Sequence, residues 1–275
     1  MIGRVSGRYP TRHPGLAALL WATACLLGCG SSGAGGGSDE GNGDLPPTAP
    51  IGVVIGDSIA EGHPLQHSRL HPGGINAFDP TWFDRPGQIP YHLARLIPTV
   101  RWINHGIGSH AAPDVWNRWS RDVLGEQQDP NDGRGDRTLP KAPAAVVVIC
   151  GANDIARGVS AAWTKSCLTK MAASARDHGI LAVFLTVGPA DTAAPDRRAR
   201  AEALNDWMLA TLPAYGAFVV DWYHWAEDPS RPGSPQRAIF YDGVHPNAQG
   251  YEALAGFILD RAPALRTIGS TSATN

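Results

Sequence analysis

Residues 51–60 read Ile51-Gly52-Val53-Val54-Ile55-Gly56-Asp57-Ser58-Ile59-Ala60. A short apolar run rich in β-branched residues stops at a glycine, passes through a polar pair and resumes as a helix-compatible segment. Such a run reads as a strand buried on both faces, the kind found inside parallel sheets. Gly56 permits a sharp backbone path out of the strand, which leaves Ser58 at a strand-to-helix turn.

The same unit recurs along the chain. Further apolar runs lie at Val100 to Ile103, Ala144 to Ile149, Ile180 to Val187 and Ala217 to Val220. Helical stretches separate or follow them: Tyr91 to Leu96, Pro113 to Leu124, Ser160 to His178, Arg197 to Leu212 and Ala248 to Ala262. The last shows Tyr251, Leu254, Ala255 and Ile258 on one face. Strands alternating with helices imply an α/β fold, a three-layer αβα sandwich around a five-stranded, mostly parallel sheet. Ligands in such sheets bind beyond the carboxyl ends of the strands, so the chemistry is expected there.

Four strand ends or late turns carry polar groups suited to acyl chemistry. The first is Gly56-Asp57-Ser58. The second is Asn104-His105-Gly106-Ile107-Gly108, the third Gly151-Ala152-Asn153-Asp154, and the fourth Tyr241-Asp242-Gly243-Val244-His245-Pro246 before the last helix. Each alone reads as an ordinary turn or helix cap. Together they supply a hydroxyl nucleophile, a backbone donor, an amide donor, and an acid with a base.

In that order the chain resembles the SGNH, or GDSL-like, hydrolase superfamily. The resemblance covers roughly residues 50 to 265. It departs with Ile59 for the usual Leu and Ala152 for the common Thr, positions that do no chemistry. It implies a flavodoxin-like sandwich and a carboxylic ester hydrolase. Ser58 would be the nucleophile, His245 the general base and Asp242 the group that orients the imidazole. The oxyanion would be held by the N–H groups of Ser58 and Gly106 and the amide of Asn153. Asp57 and Asp154 are expected to brace their turns. The scheme requires no metal or organic cofactor. The substrate class expected from family habit is a small-molecule or carbohydrate ester. An acyltransferase and a long-chain lipase or thioesterase use the same residues.

The first residues read as a targeting segment. Arg4, Arg8 and Arg12 precede an apolar stretch, Leu16 to Leu27, too short for a membrane span. It ends in Leu26-Leu27-Gly28-Cys29, which resembles a bacterial lipobox; an ordinary secretory signal beside a cysteine is the plainer alternative. Small Gly28 and the apolar residues before it sit where lipoprotein cleavage needs them. The expected organisation is a signal peptide over 1–28, lipidated Cys29 with a flexible linker over 29–49, the hydrolase domain over 50–267 and a disordered tail over 268–275. The expected location is the cell envelope, anchored by lipid to a bacterial membrane. Cys150 and Cys167 remain for the mature protein. A disulfide between them would contribute about 3 kcal/mol in the chain-entropy picture. Burial as two small hydrophobes explains them equally well, since Cys167 lies on the stripe Trp163, Cys167, Met171, Ala175.

Composition narrows the rest. The 23 Lys and Arg nearly balance the 25 Asp and Glu, with no basic block, so a nucleic-acid partner is not expected. The 275 residues, 43% of them hydrophobic, allow one substantial core. His63, His67 and His71 recur at every fourth position, but Pro64 interrupts them and Pro72-Gly73-Gly74 follow. No carboxylate or cysteine completes a ligand set, so no metal site is expected. A long loop from Glu61 to Pro90, rich in His and aromatics, is expected to hang over the active site; Trp82, Phe83 and Tyr91 are suited to stacking on a sugar ring, but packing the loop against the domain is the plainer reading. The acidic loop of Asp129, Asn131, Asp132 and Asp136 lacks the distal Glu of a calcium loop. Nothing in the sequence sets the oligomeric state.

Overall fold

A computed structural model describes residues 45–64, 88–126, 139, 142–191 and 194–269. Five strands form one sheet: β1 (Ile51–Gly56), β2 (Arg101–Gly106), β3 (Ala145–Ile149), β4 (Leu181–Leu185) and β5 (Phe218–Val220). Their order is β2-β1-β3-β4-β5, and every neighbouring pair is parallel. The α/β fold is therefore the one the alternation implied.

The helices in chain order are α1 (Ser58–Glu61), α2 (Ile89–Leu96), α3 (Ala112–Asn117), α4 (Trp119–Asp122), α5 (Ala152–Arg157), α6 (Ala161–Asp177), α7 (Pro195–Thr211), α8 (Trp222–Ala226) and α9 (Ala248–Arg261). Alternate strand residues face opposite sides, which divides the interior into two apolar layers. Val53, Ile55, Val146, Val148 and Phe184 pack with Val115, Cys167, Met171 and Met208 on one side. Val54, Trp102, Val147, Val183 and Leu185 pack with Leu93, Tyr251, Leu254 and Ile258 on the other.

Register places the chemistry. Gly56 lies level with Gly106 across one ladder and with Ile149 across the other. Three strands thus end at one height, and their turns open on the same edge. The chain leaves β1 first to β2 and then to β3 on its opposite side, the topological switch where such sheets bind ligands.

Several sequence expectations change. The helix expected over 113–124 is two short helices meeting at Arg118, whose φ of −107° and ψ of 6° leave the helical path. That break turns the Arg118 side chain into the protein, where it is 6% exposed. The packed framework also passes both expected domain limits. The Leu45 carbonyl accepts a bond from Arg101 at 2.8 Å, and Ala49 is buried, so the end of the expected linker is docked. Ile268 packs against the core and its carbonyl accepts from the Thr99 hydroxyl at 3.2 Å. Cys150 and Cys167 are two free, buried thiols rather than a disulfide. Cys167, Met171 and Ala175 face the core as the stripe requires, while Trp163 at its end is exposed. Trp119 is core, its indole N–H donating to the Ser174 hydroxyl at 3.0 Å. The targeting segment, Cys29, His67, His71, Trp82, Phe83 and the acidic loop lie outside the described residues. Among those described, no helix is long and apolar enough to cross a membrane.

Candidate active site

β1 delivers Ser58. Asp57 N-caps α1, its Oδ1 accepting the Ile59 N–H at 2.9 Å, and Gly62 closes the helix in the left-handed region. The first residue of a helix has no intrahelical acceptor for its N–H, so the Ser58 N–H points out of the turn unspent. The turn is stitched to its neighbours: Asp57 N–H donates to the Ile149 carbonyl and Ile107 N–H to the Gly56 carbonyl, each at 3.0 Å. Asp57 itself is 1% exposed. Burial pushes its carboxyl up to about 7, against the pull of the Ile59 and Ala60 N–H groups, with Asp154 adding to the rise.

The late turn delivers the other two groups. Ser58 Oγ lies 2.8 Å from His245 Nε2, and His245 Nδ1 lies 2.8 Å from Asp242 Oδ2. A carboxylate can only accept, so Nδ1 carries the proton and Nε2 is the acceptor for the serine hydroxyl. Asp242 Oδ1 also takes the N–H groups of Val244 at 3.0 Å and His245 at 2.8 Å. Burial raises the Asp242 carboxyl, but these bonds outweigh it and hold the group below its ordinary value. The sequence separation of 187 residues between Ser58 and His245 is closed by α9, which seats the turn above β1.

Asn153 lies in the first turn of α5, just after the end of β3. Its amide donates to the His110 carbonyl at 3.0 Å, which fixes the side chain and leaves its second N–H to point elsewhere. His110 belongs to the loop after β2, so this bond ties the second and third strand ends together. Asp154 ties them again, accepting the Ala112 N–H at 2.9 Å and the Thr164 hydroxyl at 2.7 Å.

The structure does not bring Gly106 into this set as expected. Its N–H is spent on Asn104 Oδ1 at 2.8 Å, within its own strand. Its open face instead lets α1 approach: a Cβ there would lie 2.0 Å from the Glu61 nitrogen. Gly108 is the glycine beside Ser58, where an added Cβ would lie 4.0 Å from Ser58 Cβ. Among the described residues, no hydrogen bond within the protein takes the N–H of Gly108 or Ser109. Ser109 has φ of +66°, a left-handed value that costs a residue with a Cβ about 1 kcal/mol or more. Strain of this kind in a loop between two strand ends is the mark of a backbone held for a purpose.

Two further residues, Arg118 and Ser109, escaped the sequence reading, and a third, His63, was read only as one of a histidine row. Arg118 fastens the floor of the site, donating to the Gly56 carbonyl at 2.9 Å, the His105 carbonyl at 2.7 Å and Asp122 Oδ2 at 2.7 Å. Its Nε reaches His110 Nδ1 at 3.2 Å. Ser109 has no local signal, because left-handed backbone at a serine is imposed from outside the tripeptide. His63 stands edge-on to His245, ring centroids 4.4 Å apart.

Comparisons with known proteins give the family and the fold. The GDSL-like Lipase/Acylhydrolase family matches residues 54–253. No curated protein matches the chain. Among solved structures, a GDSL-like lipase from Bacteroides thetaiotaomicron superposes with a TM-score of 0.55 at 20% identity, covering 79% of this chain and 88% of that one. An α/β hydrolase from the metagenome of Lake Arreo gives 0.55 at 21% identity, with 78% and 96% covered. An acetylxylan esterase from Geobacillus stearothermophilus gives 0.52 at 17% identity, with 77% and 93% covered. The match over 54–253 spans all five strands except the start of β1 and reaches into α9; the chain belongs to the GDSL-like lipase/acylhydrolase family and is an ester hydrolase.

Proposed function

We propose that the chain is a serine esterase that removes O-acetyl groups from carbohydrate in the bacterial cell envelope. The observation that carries the catalytic part is the unbroken relay from Ser58 Oγ through His245 to Asp242, both contacts at 2.8 Å. Ser58 Oγ attacks the ester carbonyl as His245 Nε2 takes its proton. Asp242 stays ionised and stabilises the imidazolium. The tetrahedral intermediate collapses, the C–O bond to the alcohol breaks, and His245 returns the proton to the departing oxygen. Water then repeats the sequence on the acyl-serine and frees the acid.

The oxyanion donors in this reading are the Ser58 N–H, the free N–H of the Asn153 amide, and a backbone N–H from Gly108 or Ser109. The last takes the place first given to Gly106. Held donors of this kind act where charge develops, in the transition state rather than in the bound ester.

The carbohydrate part of the proposal draws support from the acetylxylan esterase among the structural neighbours, and the envelope part from the Leu26-Leu27-Gly28-Cys29 segment. In this reading Cys29 carries lipid, and the apolar burial of each methylene, about 0.8 kcal/mol, holds the enzyme at a membrane. Turnover of p-nitrophenyl acetate and of acetylated xylan by the chain from Gly30 tests the chemistry; unchanged turnover in Ser58→Ala refutes it. Incorporation of labelled palmitate in cells, lost in Cys29→Ser, tests the anchor.

A further inference from the structure

We propose that His63, Asp242 and His245 form a site for a divalent transition-metal ion, with Zn2+ as the reference ligand, and that its occupation switches the esterase off. In the sequence His63 shares its four-residue spacing with His67 and His71, and no carboxylate continues that row. Folding supplies one from the far end of the chain. One donor atom each from His63, Asp242 and His245 can be chosen so that all three lie within 4.8 Å of one another. Zinc holds nitrogen and oxygen donors at about 2.0–2.2 Å, so donors on one ion stand no more than about 4 Å apart. Binding requires the side chains to rotate by enough to close that difference.

The backbone presets the third ligand. His63 N–H donates to the Ser58 carbonyl at 2.9 Å, and the Tyr251 hydroxyl donates to the His63 carbonyl at 2.8 Å. One bond ties His63 to the helix that bears the nucleophile, the other to α9, which seats the His245 turn. Its ring therefore meets His245 edge-on at 4.4 Å, not by chance rotation of a free surface side chain. Two imidazoles and a carboxylate are a donor set suited to zinc, copper or nickel rather than to magnesium or calcium. Three protein ligands leave a fourth position for water, the pattern of open zinc sites.

Inhibition follows from which atoms are available. His245 has two ring nitrogens: Nε2 holds the Ser58 hydroxyl and Nδ1 holds Asp242. Whichever nitrogen the metal takes, one contact of the relay is lost. A metal on Nε2 removes the proton acceptor; a metal on Nδ1 removes the group that orients the ring. The ion therefore competes with catalysis without any change elsewhere in the fold.

The switch rests on the hydrolase reading, but the site does not, and the test separates them. Ser58→Ala keeps all three ligands, and calorimetry with ZnCl2 should show one zinc bound per chain. Adding His63→Ala or His63→Gln to Ser58→Ala should weaken binding by about a hundredfold or more, since losing even an outer partner of a ligand costs about 10- to 100-fold. In the enzyme with Ser58 intact, zinc should stop p-nitrophenyl acetate turnover and slow fluorophosphonate labelling of Ser58, and EDTA should restore both. Each His63 variant, compared with its own rate in EDTA and with its fold checked by circular dichroism, should need far more zinc for half-inhibition. Zinc binding that persists undiminished in the folded His63 variants, or no zinc binding to Ser58→Ala, overturns the site. Zinc binding with undisturbed labelling of Ser58 overturns the switch. A chain inactive on every ester refutes the hydrolase reading and leaves the calorimetric result standing by itself.

Discussion

Arg118 Nη2 donates to the carbonyl oxygen of Gly56 at 2.9 Å, reaching from the loop side of the site to the last residue of β1. The same guanidinium holds the His105 carbonyl and Asp122, and touches the His110 ring. One side chain thus sets the distance between the turn that bears Ser58 and the loop whose His110 carbonyl positions Asn153. Its cation is desolvated, which lowers its pKa from the ordinary value, while Asp122 pulls it back up.

Removing that cation should therefore act on both stability and rate. Arg118→Met takes one of two cations from the fully buried Asp122, leaving Arg121 on Oδ1 at 2.6 Å, so the loss should stay below the about 3–5 kcal/mol of a buried charge left wholly unpaired. Arg118→Lys keeps the charge but not the fork that reaches two carbonyls and a carboxylate. Urea unfolding should show a large loss for the first and a smaller one for the second. Both should lower kcat. A lysine variant with unaltered kcat would mean that Arg118 supports only the fold.

In the proposed mechanism the Asn153 amide meets charge that exists only in the transition state, so Asn153→Ala should lower kcat by about a hundred- to a thousand-fold with little effect on KM. Steady-state kinetics on p-nitrophenyl acetate measure it. An effect confined to KM would move Asn153 from the oxyanion to substrate binding.

The exchange of Gly106 for the next loop residues gives a paired prediction. Gly106→Ala drives a Cβ to 2.0 Å from the Glu61 nitrogen, a clash with backbone that cannot rotate away. Unfolding should be easier by at least about 1–3 kcal/mol, the usual range for overpacking. Ser109→Gly relieves left-handed strain of about 1–2 kcal/mol and loses part of that gain to the greater unfolded-state freedom of glycine, so stability should not fall. It keeps the N–H, so turnover should survive. Ser109→Val should impair turnover, since a β-branched residue resists φ of +66°.

Asp57 predicts how stability depends on pH. Its carboxyl is pushed up to about 7 in the folded protein against an ordinary 3.8. Between those values the folded state keeps a proton that the unfolded chain has released. The contribution is complete below about 3.8 and is lost as pH rises through about 7. Asp57→Asn keeps an oxygen to accept the Ile59 N–H and has no charge to bury. Its Tm should fall less than that of the unaltered chain between pH 5 and pH 8. Equal slopes would show that Asp57 is already ionised in the fold.

Cys150 and Cys167 should both react with a maleimide when the chain from Gly30 is unfolded without reductant. Neither should react quickly in the folded state, where both are buried and burial raises the Cys150 thiol well above its ordinary pKa. Two protected, unreactive thiols after unfolding would show a bond that the folded geometry does not contain.

The sequence alone determined the layered fold and most of the site. Buried parallel strands such as Val53 to Ile55 and Val146 to Val148 must be apolar on both faces, and turns such as Gly56-Asp57-Ser58 need fixed residue types in fixed order. Both requirements are local and leave a readable trace. Tertiary structure decided what no local pattern encodes. Gly106 and Gly108 differ by two positions and are equal as letters; Asn104 Oδ1 spends one N–H, and the approach of α1 sets the second beside Ser58. Arg118 looked like one residue of a helix until the helix broke to bury it. His63 stands beside Asp242 and His245 only because folding brings the far end of the chain to it. These outcomes depend on contacts between residues far apart in sequence, so they exist only once the sheet has set the heights of its strand ends.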